Sequence, residues 1–368
     1  MGVNGDKPSG ATYSSGKSIP RVFQDFDTLL QDPDVTDIRI QQGYGLYYRK
    51  AGIIHAMPCP FNDIDDMRSQ FCRHVNIPDY LSDSLAASHL GYRLRIELGS
   101  VMIGEHRKIW VRRLDPEIPT LETMGYTKLV EPATRRVMDK SQSGLVIVAG
   151  PTSSGKTTLL ASLMQHILDN NPAHVCTIED PIEYVLKPGN GEVSQHQVGE
   201  DIKNPAQGLK TILRKDPNVI LVGELRDELF ASTTIDAAET GHLTLATVHA
   251  DSVVGVLQRL ESLTHQSETF RTRLSSVMMG IIVLKLKYMD DDADSGKAMS
   301  GRQCESLWIR DHPRRREIMT LIADGKREGY NTISDLAHSE FIPSVMGKKR
   351  TAVKKRSEHA DEFGVPNW

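Results

Sequence analysis

Two spacings of apolar residues alternate along the chain, and each change of spacing marks an element. FQDFDTLLQD, from Phe23, sets its apolar side chains three and four residues apart, which gathers them on one face of a helix. DIRIQQG and YGLYYRKAGII alternate instead and predict two paired strands, with Gly43 and Gly45 at the turn. IDDMRSQFCRHV returns to helical spacing. GYRLRIELGSVM and RKIWVRRL are two more strands, closing an α/β unit near Leu114. DPEIPTLETMG carries two prolines and is predicted to be a linker. Beyond it, LVIVA and VILVG are unbroken apolar runs, as expected of strands buried on both faces. After Lys156, residues Leu159, Leu160, Leu163, Met164, Ile167 and Leu168 recur at helical spacing. Near the end, ESLWIR predicts a strand, and REIMTLIADG and YNTISDLAHSEF predict short helices.

These patterns divide the chain. Residues 1–20, rich in Gly, Ser and Lys, are expected to be a disordered lead-in. A small α/β domain follows at 21–115, then a linker at 116–128. A second α/β domain spans 129–345 and ends in helices, and 346–368 is a basic, charged tail. DDDADSGKAMSG (290–301) is expected to be an acidic loop, and no internal repeat is visible. A length of 368 residues also favours two cores over one.

Composition changes this picture little. With 39% hydrophobic and 25% charged residues the chain is ordinary for a soluble protein. Its net charge of −4 gives no global reason to expect nucleic-acid binding. VMMGIIVLKL is about half the length a bilayer needs, and the N-terminal stretch lacks the apolar segment of a secretory signal. Asp6 stands where myristoylation wants Ser or Thr. The four cysteines, at 59, 72, 176 and 304, form no C-x-x-C pair and are expected to be free thiols in the reducing cytoplasm.

The chemistry concentrates in the second domain. Gly150, Pro151, Thr152, Ser153, Ser154, Gly155, Lys156 and Thr157 match the template G-x-x-x-x-G-K-[ST] at every position, and Thr158 follows. Glycines let the backbone curl so that successive N–H groups point inward, and the helix after them adds its positive end. Lys156 is placed to reach the β- and γ-phosphates of ATP, and the Thr157 hydroxyl to hold Mg2+. A ligand-free glycine turn is the alternative, disfavoured by the flanking strand and helix.

Hydrolysis needs a carboxylate on a neighbouring strand, and VILVGELRD supplies Glu224 at a strand's C-terminal end, as a metal and water ligand. Its bland alternative is an ion pair with Arg226 or Arg214. CTIEDPIEY adds Glu179, Asp180 and Glu183, with Pro181 preventing a simple helix; such carboxylates can polarise water and help hold the ion. TGHLTLATVHAD puts His242 just before a strand and His249 just after it, where they could sense the γ-phosphate or simply be satisfied polar side chains.

GPTSSGKTTLLA, TIEDPIEYV, LRKDPNVILVGELRD and AAETGHLTLATVHADS together resemble the Walker A, Asp, Walker B and His boxes of the secretion traffic ATPases. That family serves type II and type IV secretion, conjugation and type IV pili. DVTDIRIQQGYGLYYRKAGII is similar to its small PAS-like N-terminal domain, so the resemblance spans roughly 23–290 and more weakly the helices to about 340. It implies a PAS-like domain followed by a RecA-like P-loop core with C-terminal helices. It further implies a homo-oligomer, a ring hexamer, with ATP and Mg2+ between domains at subunit boundaries. Glu183 would be the catalytic base and Glu224 the glutamate orienting magnesium and water. His242 and His249 would couple nucleotide state to domain position. Arg95 and either Arg112 or Arg113 would stabilise phosphate charge, strand alternation allowing only one of the last two on the inner face. Plain surface arginines on an edge strand are the alternative.

Three departures narrow the branch. Ser153 replaces a usual glycine, the tetra-cysteine zinc insert of many assembly ATPases is absent, and LKLKYMDDDADSG lacks the Gln and Pro usual in retraction motors. What remains is similar to the short conjugation and Dot/Icm-type (type IVB) ATPases, with pilus retraction as the alternative. The implied partners are inner-membrane platform or coupling proteins, with the chain cytoplasmic and peripheral to that membrane. Two other classes stay open. A nucleic-acid motor would use GKKRTAVKKR, six of whose ten residues are basic, but the run lacks aromatic residues for stacking, so direct nucleic-acid binding is disfavoured against a solvated tail or a lipid contact. A non-hydrolysing ATP-sensing scaffold is the other.

Overall fold

Alternation in the first third of the chain builds one antiparallel sheet, and the unbroken apolar runs beyond it build a second, mainly parallel one. The computed structural model describes residues 19–42, 44–50, 53–58, 67–77, 84–101, 106–114, 117–139, 143–152, 154–265, 267–289 and 299–343. The lead-in to residue 18, Gly43, Ser153, the acidic stretch 290–298 and the basic tail lie outside them.

Helix α1 (Arg21–Gln31) buries Val22, Phe23, Phe26, Leu29 and Leu30 on one face, the face its spacing predicts. Strands β1 (Val35–Gln41), β2 (Gly45–Lys50) and β3 (Ile53–Pro58) follow, then α2 (Met67–His74), β4 (Ser84–His89), β5 (Tyr92–Val101) and β6 (His106–Leu114). The sheet order is β3-β2-β1-β6-β5-β4, with every pairing antiparallel. Two corrections to the sequence pattern arise here. YGLYYRKAGII is two strands, because Gly45–Lys50 pairs antiparallel with Ile53–Pro58, Lys50 opposite Ile53. SLAASH, with one large apolar residue, is an edge strand held by backbone pairing to β5, which hydrophobic spacing does not reveal.

The linker contains the short helix α3 (Leu121–Met124), capped by the Thr120 side chain, which accepts from the Thr123 amide. After α4 (Thr127–Thr134) come β7 (Gly144–Ala149), α5 (Lys156–Asn170), β8 (His174–Glu179), β9 (Glu192–Gln197) and α6 (Pro205–Ile212). Next are β10 (Val219–Glu224), α7 (Glu228–Glu239), β11 (Leu243–Val248), α8 (Val253–Leu263) and α9 (Glu268–Val277). The series ends with β12 (Met278–Met289), β13 (Met299–Trp308), α10 (Arg315–Asp324), α11 (Arg327–Leu336) and β14 (His338–Pro343). The sheet runs β14-β13-β12-β7-β11-β10-β8-β9. From β12 to β9 it is parallel, and β13 and β14 add antiparallel to its edge.

Strand β7 explains its own composition. Leu145, Ile147 and Ala149 enter the core beneath α7 and α8, while Val146 and Val148 enter the opposite core beneath α4 and α5. A strand covered on both faces has no polar side, and each buried Val, Leu or Ile contributes about 1.5–3 kcal/mol. Strand β12 behaves alike, so VMMGIIVLKL is a sheet strand. Among the described residues no helix is long and apolar enough to cross a membrane. At the C-terminal end, α10 and α11 pack Ile318, Ile322, Tyr330 and Ile333 into the α7 side. Two corrections apply there too. HSEF belongs to β14 because its backbone pairs with β13, and residues 299–301 belong to β13 and not to the acidic loop. β9 and α6 went unforeseen, being short and half polar.

Arg113 fastens α1 to its sheet. Its Nη1 donates to the carbonyls of Leu30 (3.2 Å) and Asp32 (2.7 Å), and its Nη2 to Pro33 (2.5 Å). Those carbonyls lie in the last turn of α1 and just beyond it, and that of Asp32 also accepts from the Val35 amide at 3.1 Å. Arg113→Ala is expected to destabilise the first sheet by about 1–3 kcal/mol, read as a lower urea midpoint for that unit.

Candidate nucleotide site

The four central parallel strands, β7, β11, β10 and β8, end together, and the segment after each carries one part of the site. Gly150, directly after β7, has φ +149°, and a Cβ there would lie 2.3 Å from the Leu284 carbonyl oxygen of β12. Gly155 has φ +97° and is the N-cap of α5, and its Cβ would meet the Arg302 guanidinium at 2.9 Å. Both glycines are therefore needed for the curl that the motif predicts. Gly155 gives α5 no side-chain cap, so the helix's first N–H groups stay available to an anion.

Lys156 donates from Nζ to the carbonyls of Gly150 (2.7 Å) and Pro151 (3.1 Å), curling back over its own loop. Burial pushes its ammonium below the usual range, and the charges of Glu224 and Glu183 only partly restore it. A phosphate would raise it again, and the buried Ser154 hydroxyl, without a hydrogen-bond partner among the described residues, offers the loop one more donor. These residues fit a bound triphosphate. Thr157 stands in the first turn of α5, and Thr158 hydrogen-bonds the Tyr184 hydroxyl at 3.2 Å.

β10 is not the neighbour of β7, as the sequence suggested, because β11 lies between them. The carboxylate at its end reaches the site because the β10–β11 register slips between Val222 and Glu224, a bulge that re-aims the side chain. Glu224 then pairs with His249 Nε2 at 3.3 Å and with Arg226 Nε at 3.1 Å, so the Arg226 contact weighed from sequence forms alongside a histidine contact. Arg226 also meets Asp180 at 2.7 Å and bridges two of the expected carboxylates. Burial works against its charge, but both carboxylates outweigh that and raise its pKa.

The segment after β8 splits its acids between two tasks. Glu179 is buried; Thr177 Oγ1 donates to it at 2.8 Å and Gln195 Nε2 at 3.0 Å. Burial pushes its carboxyl up despite those bonds. Such a group holds the loop's shape, which departs from the phosphate or ion contact expected of it. Glu183 instead faces the first sheet, 3.3 Å from Arg95 Nη1. Strand β5 alternates Leu94, Ile96 and Leu98 into its own core, which turns Arg93 and Arg95 together toward the second domain. Arg93 donates to the Ile182 carbonyl at 2.9 and 3.3 Å.

Three expected residues are not brought together here. His242 lies at the opposite end of β11 from His249, roughly 20 Å along an extended strand. Its Nδ1 donates to the Ala237 carbonyl at 3.1 Å, inside the end of α7, so here it closes that helix. Arg113 is committed to α1. Arg112 pairs across the sheet with Arg95 and shares its face, but its guanidinium is engaged by Asp37 of β1 at 2.9 Å. Two residues were missed. Arg93 was legible from the same alternation that selected Arg95. Arg302, whose Nε donates to the Ser154 carbonyl at 3.0 Å, comes from β13 and carries no local signal.

A family model described as "Type II/IV secretion system protein" matches residues 77–360. The uncharacterised protein YggR of Escherichia coli (strain K12) is 30% identical over 261 residues, 69% of this chain and 78% of that one. A twitching motility protein of Neisseria gonorrhoeae is 36% identical over 245 residues, 65% of each. The type II secretion system protein E of Klebsiella pneumoniae is 38% identical over 55% of this chain, which spans 41% of that relative. Among solved structures, the pilus retraction motor PilT with bound ADP has a TM-score of 0.64 at 28% identity, covering 85% of this chain and 88% of its own. The Legionella pneumophila ATPase DotB has a TM-score of 0.64 at 23% identity, covering 84% and 86%, and shares the RecA-like fold.

Arg302→Ala is expected to weaken nucleotide binding about tenfold, because a charge-assisted bond of about 1.5 kcal/mol no longer braces the loop. Titration with a fluorescent nucleotide reads the change.

Proposed function

As a member of the type II/IV secretion system protein family, the chain is an ATPase, and we propose that it powers its machine by moving the first sheet against the nucleotide site. The Arg95–Glu183 contact carries this reading. It ties the residue best placed as general base to a different domain from the one that holds the phosphates.

ATP enters as substrate, and magnesium, when bound to the Thr157 hydroxyl and Glu224, would supply positive charge between its phosphates. Lys156 exchanges its own loop's carbonyls for the β- and γ-oxygens. His249 and Arg226 hold the Glu224 carboxylate in place. Glu183, released from Arg95, accepts a proton from the attacking water. Arg93 and Arg95, freed from the loop after β8, are the cations able to follow the γ-phosphate charge. Its loss then returns them to Glu183 and the Ile182 carbonyl, so each turnover moves the first sheet.

In a homo-oligomeric ring, a hexamer in this proposal, such movements would pass to an inner-membrane platform or coupling protein. The absence of the tetra-cysteine insert and of the Gln and Pro after the core supports conjugal transfer or type IVB secretion as the narrower role. Pilus retraction is the second reading, favoured by the 36% identity to the twitching motility protein. Disrupting the gene separates them: loss of conjugal or effector transfer supports the first, and loss of twitching the second.

Glu183→Gln and Glu224→Gln are expected to bind nucleotide yet release phosphate at least about tenfold more slowly, the usual contribution of a positioned base being about a hundredfold or more. Lys156→Ala is expected to lose both binding and turnover. Unchanged phosphate release by both glutamine variants would remove the assigned roles.

A further inference from the structure

Away from the phosphate loop, three polar side chains from three elements of the first sheet domain converge on one point. Asp27 comes from the middle of α1, His74 is the last residue of α2, and His89 is the last residue of β4. The Nε2 of His74 lies 2.9 Å from Asp27 Oδ1, and that of His89 lies 2.8 Å from the same oxygen. Burial pushes the Asp27 carboxyl up, but hydrogen bonds and charge from the two histidines outweigh this and hold it below the usual carboxylate range. An ionised carboxylate only accepts, so both rings turn an Nε2–H toward it.

The surroundings are apolar and aromatic. His74 is 4% exposed and stacks on Phe23 at 5.2 Å, and Phe26 lies flat against His89 at 6.2 Å. The side chains of His89 and Asp27 are 11% and 23% exposed, so the cluster reaches solvent along one edge. Gathering three polar groups in such a shell costs desolvation that a plain apolar contact would avoid. Their chemistry, two imidazoles and one carboxylate, is a donor set that borderline divalent metals take up.

We propose that Asp27, His74 and His89 form a binding site for a divalent transition metal of the zinc class, tying α1, α2 and β4 together. The three ligand atoms all lie within 4.8 Å of one another. Tetrahedral zinc, with bonds of about 2.0–2.1 Å, holds its ligands about 3.3 Å apart. The metal therefore spreads the present contacts by about half an ångström, and each neutral ring binds through Nε2 with its proton moved to Nδ1. Water completes the coordination from the exposed edge. Magnesium prefers oxygen ligands, so this site and the one at Thr157 and Glu224 are chemically distinct. The three ligands stand at positions 27, 74 and 89, too far apart along the chain for any ligand-spacing motif to show them.

The full-length chain, stripped with a chelator and freed of nucleotide, is titrated with zinc chloride alone. One zinc per chain should survive gel filtration and raise the melting temperature of the first sheet domain by at least about 5 °C. Cobalt(II) should give the visible absorption of a four-coordinate nitrogen and oxygen site. Asp27→Asn and His89→Gln should each weaken zinc binding at least a hundredfold, while Lys156→Ala leaves it unchanged. His89 is the most exposed of the two rings, so His89→Gln, checked by circular dichroism, keeps the test valid if Asp27→Asn fails to fold. A wild-type chain that retains no zinc, or a folded His89→Gln chain that retains as much, overturns the proposal and leaves a hydrogen-bonded staple.

Discussion

Because β7 is buried on both faces and flanked by β12 and β11, its C-terminal end is held with little freedom, and the phosphate loop inherits that rigidity. The Leu284 carbonyl on β12 leaves no space for a side chain at Gly150, while a φ of +97° favours glycine at Gly155, against which the Arg302 side chain of β13 lies. The start of the loop's curl is thus set by the strand beside it as much as by its own glycine. The other parts of the site take their positions from this one edge, since the parallel strands finish at a common level. Glu224, His249 and the segment after β8 meet there for no other reason than register.

Charge at that edge is arranged as a chain of shared partners. Arg226 serves Asp180 and Glu224, Glu224 also serves His249, and Lys156 feels both Glu224 and Glu183. Exposed pairs of this kind contribute little to stability, a median of about 0–1 kcal/mol each. Their value lies in orientation, because each of these carboxylates has a partner that a metal could replace and each cation one that a phosphate could replace. Exchange of partners costs less than creating a contact from solvent. Arg93 and Arg95 bring that sheet into the network, on the face of β5 opposite its core.

The first sheet domain has a separate organisation. Arg113 closes α1, and Asp27 joins α1 to α2 and β4 through two histidines. These buried polar links stiffen a small domain whose core rests on one cluster of side chains.

Local properties were legible in the chain itself. Helical spacing marked α1, α5 and α10, and an unbroken apolar run marked β7. The eight-residue motif after β7 specified a phosphate cradle, since its conformation and donors come from consecutive residues. The four boxes together also named the family. Contacts between distant segments could not be seen there. Hydrophobic spacing says nothing about which strand lies between β7 and β10, so only the sheet order revealed that β11 intervenes and carries His249 to Glu224. It equally put His242 at the far end of the same strand, and the tertiary contacts gave Arg113 to α1. Arg302 and the cluster of Asp27, His74 and His89 were out of reach for the same reason. A side chain's partner is set by where the backbone crosses itself, and that crossing is decided by the packing of whole sheets and helices.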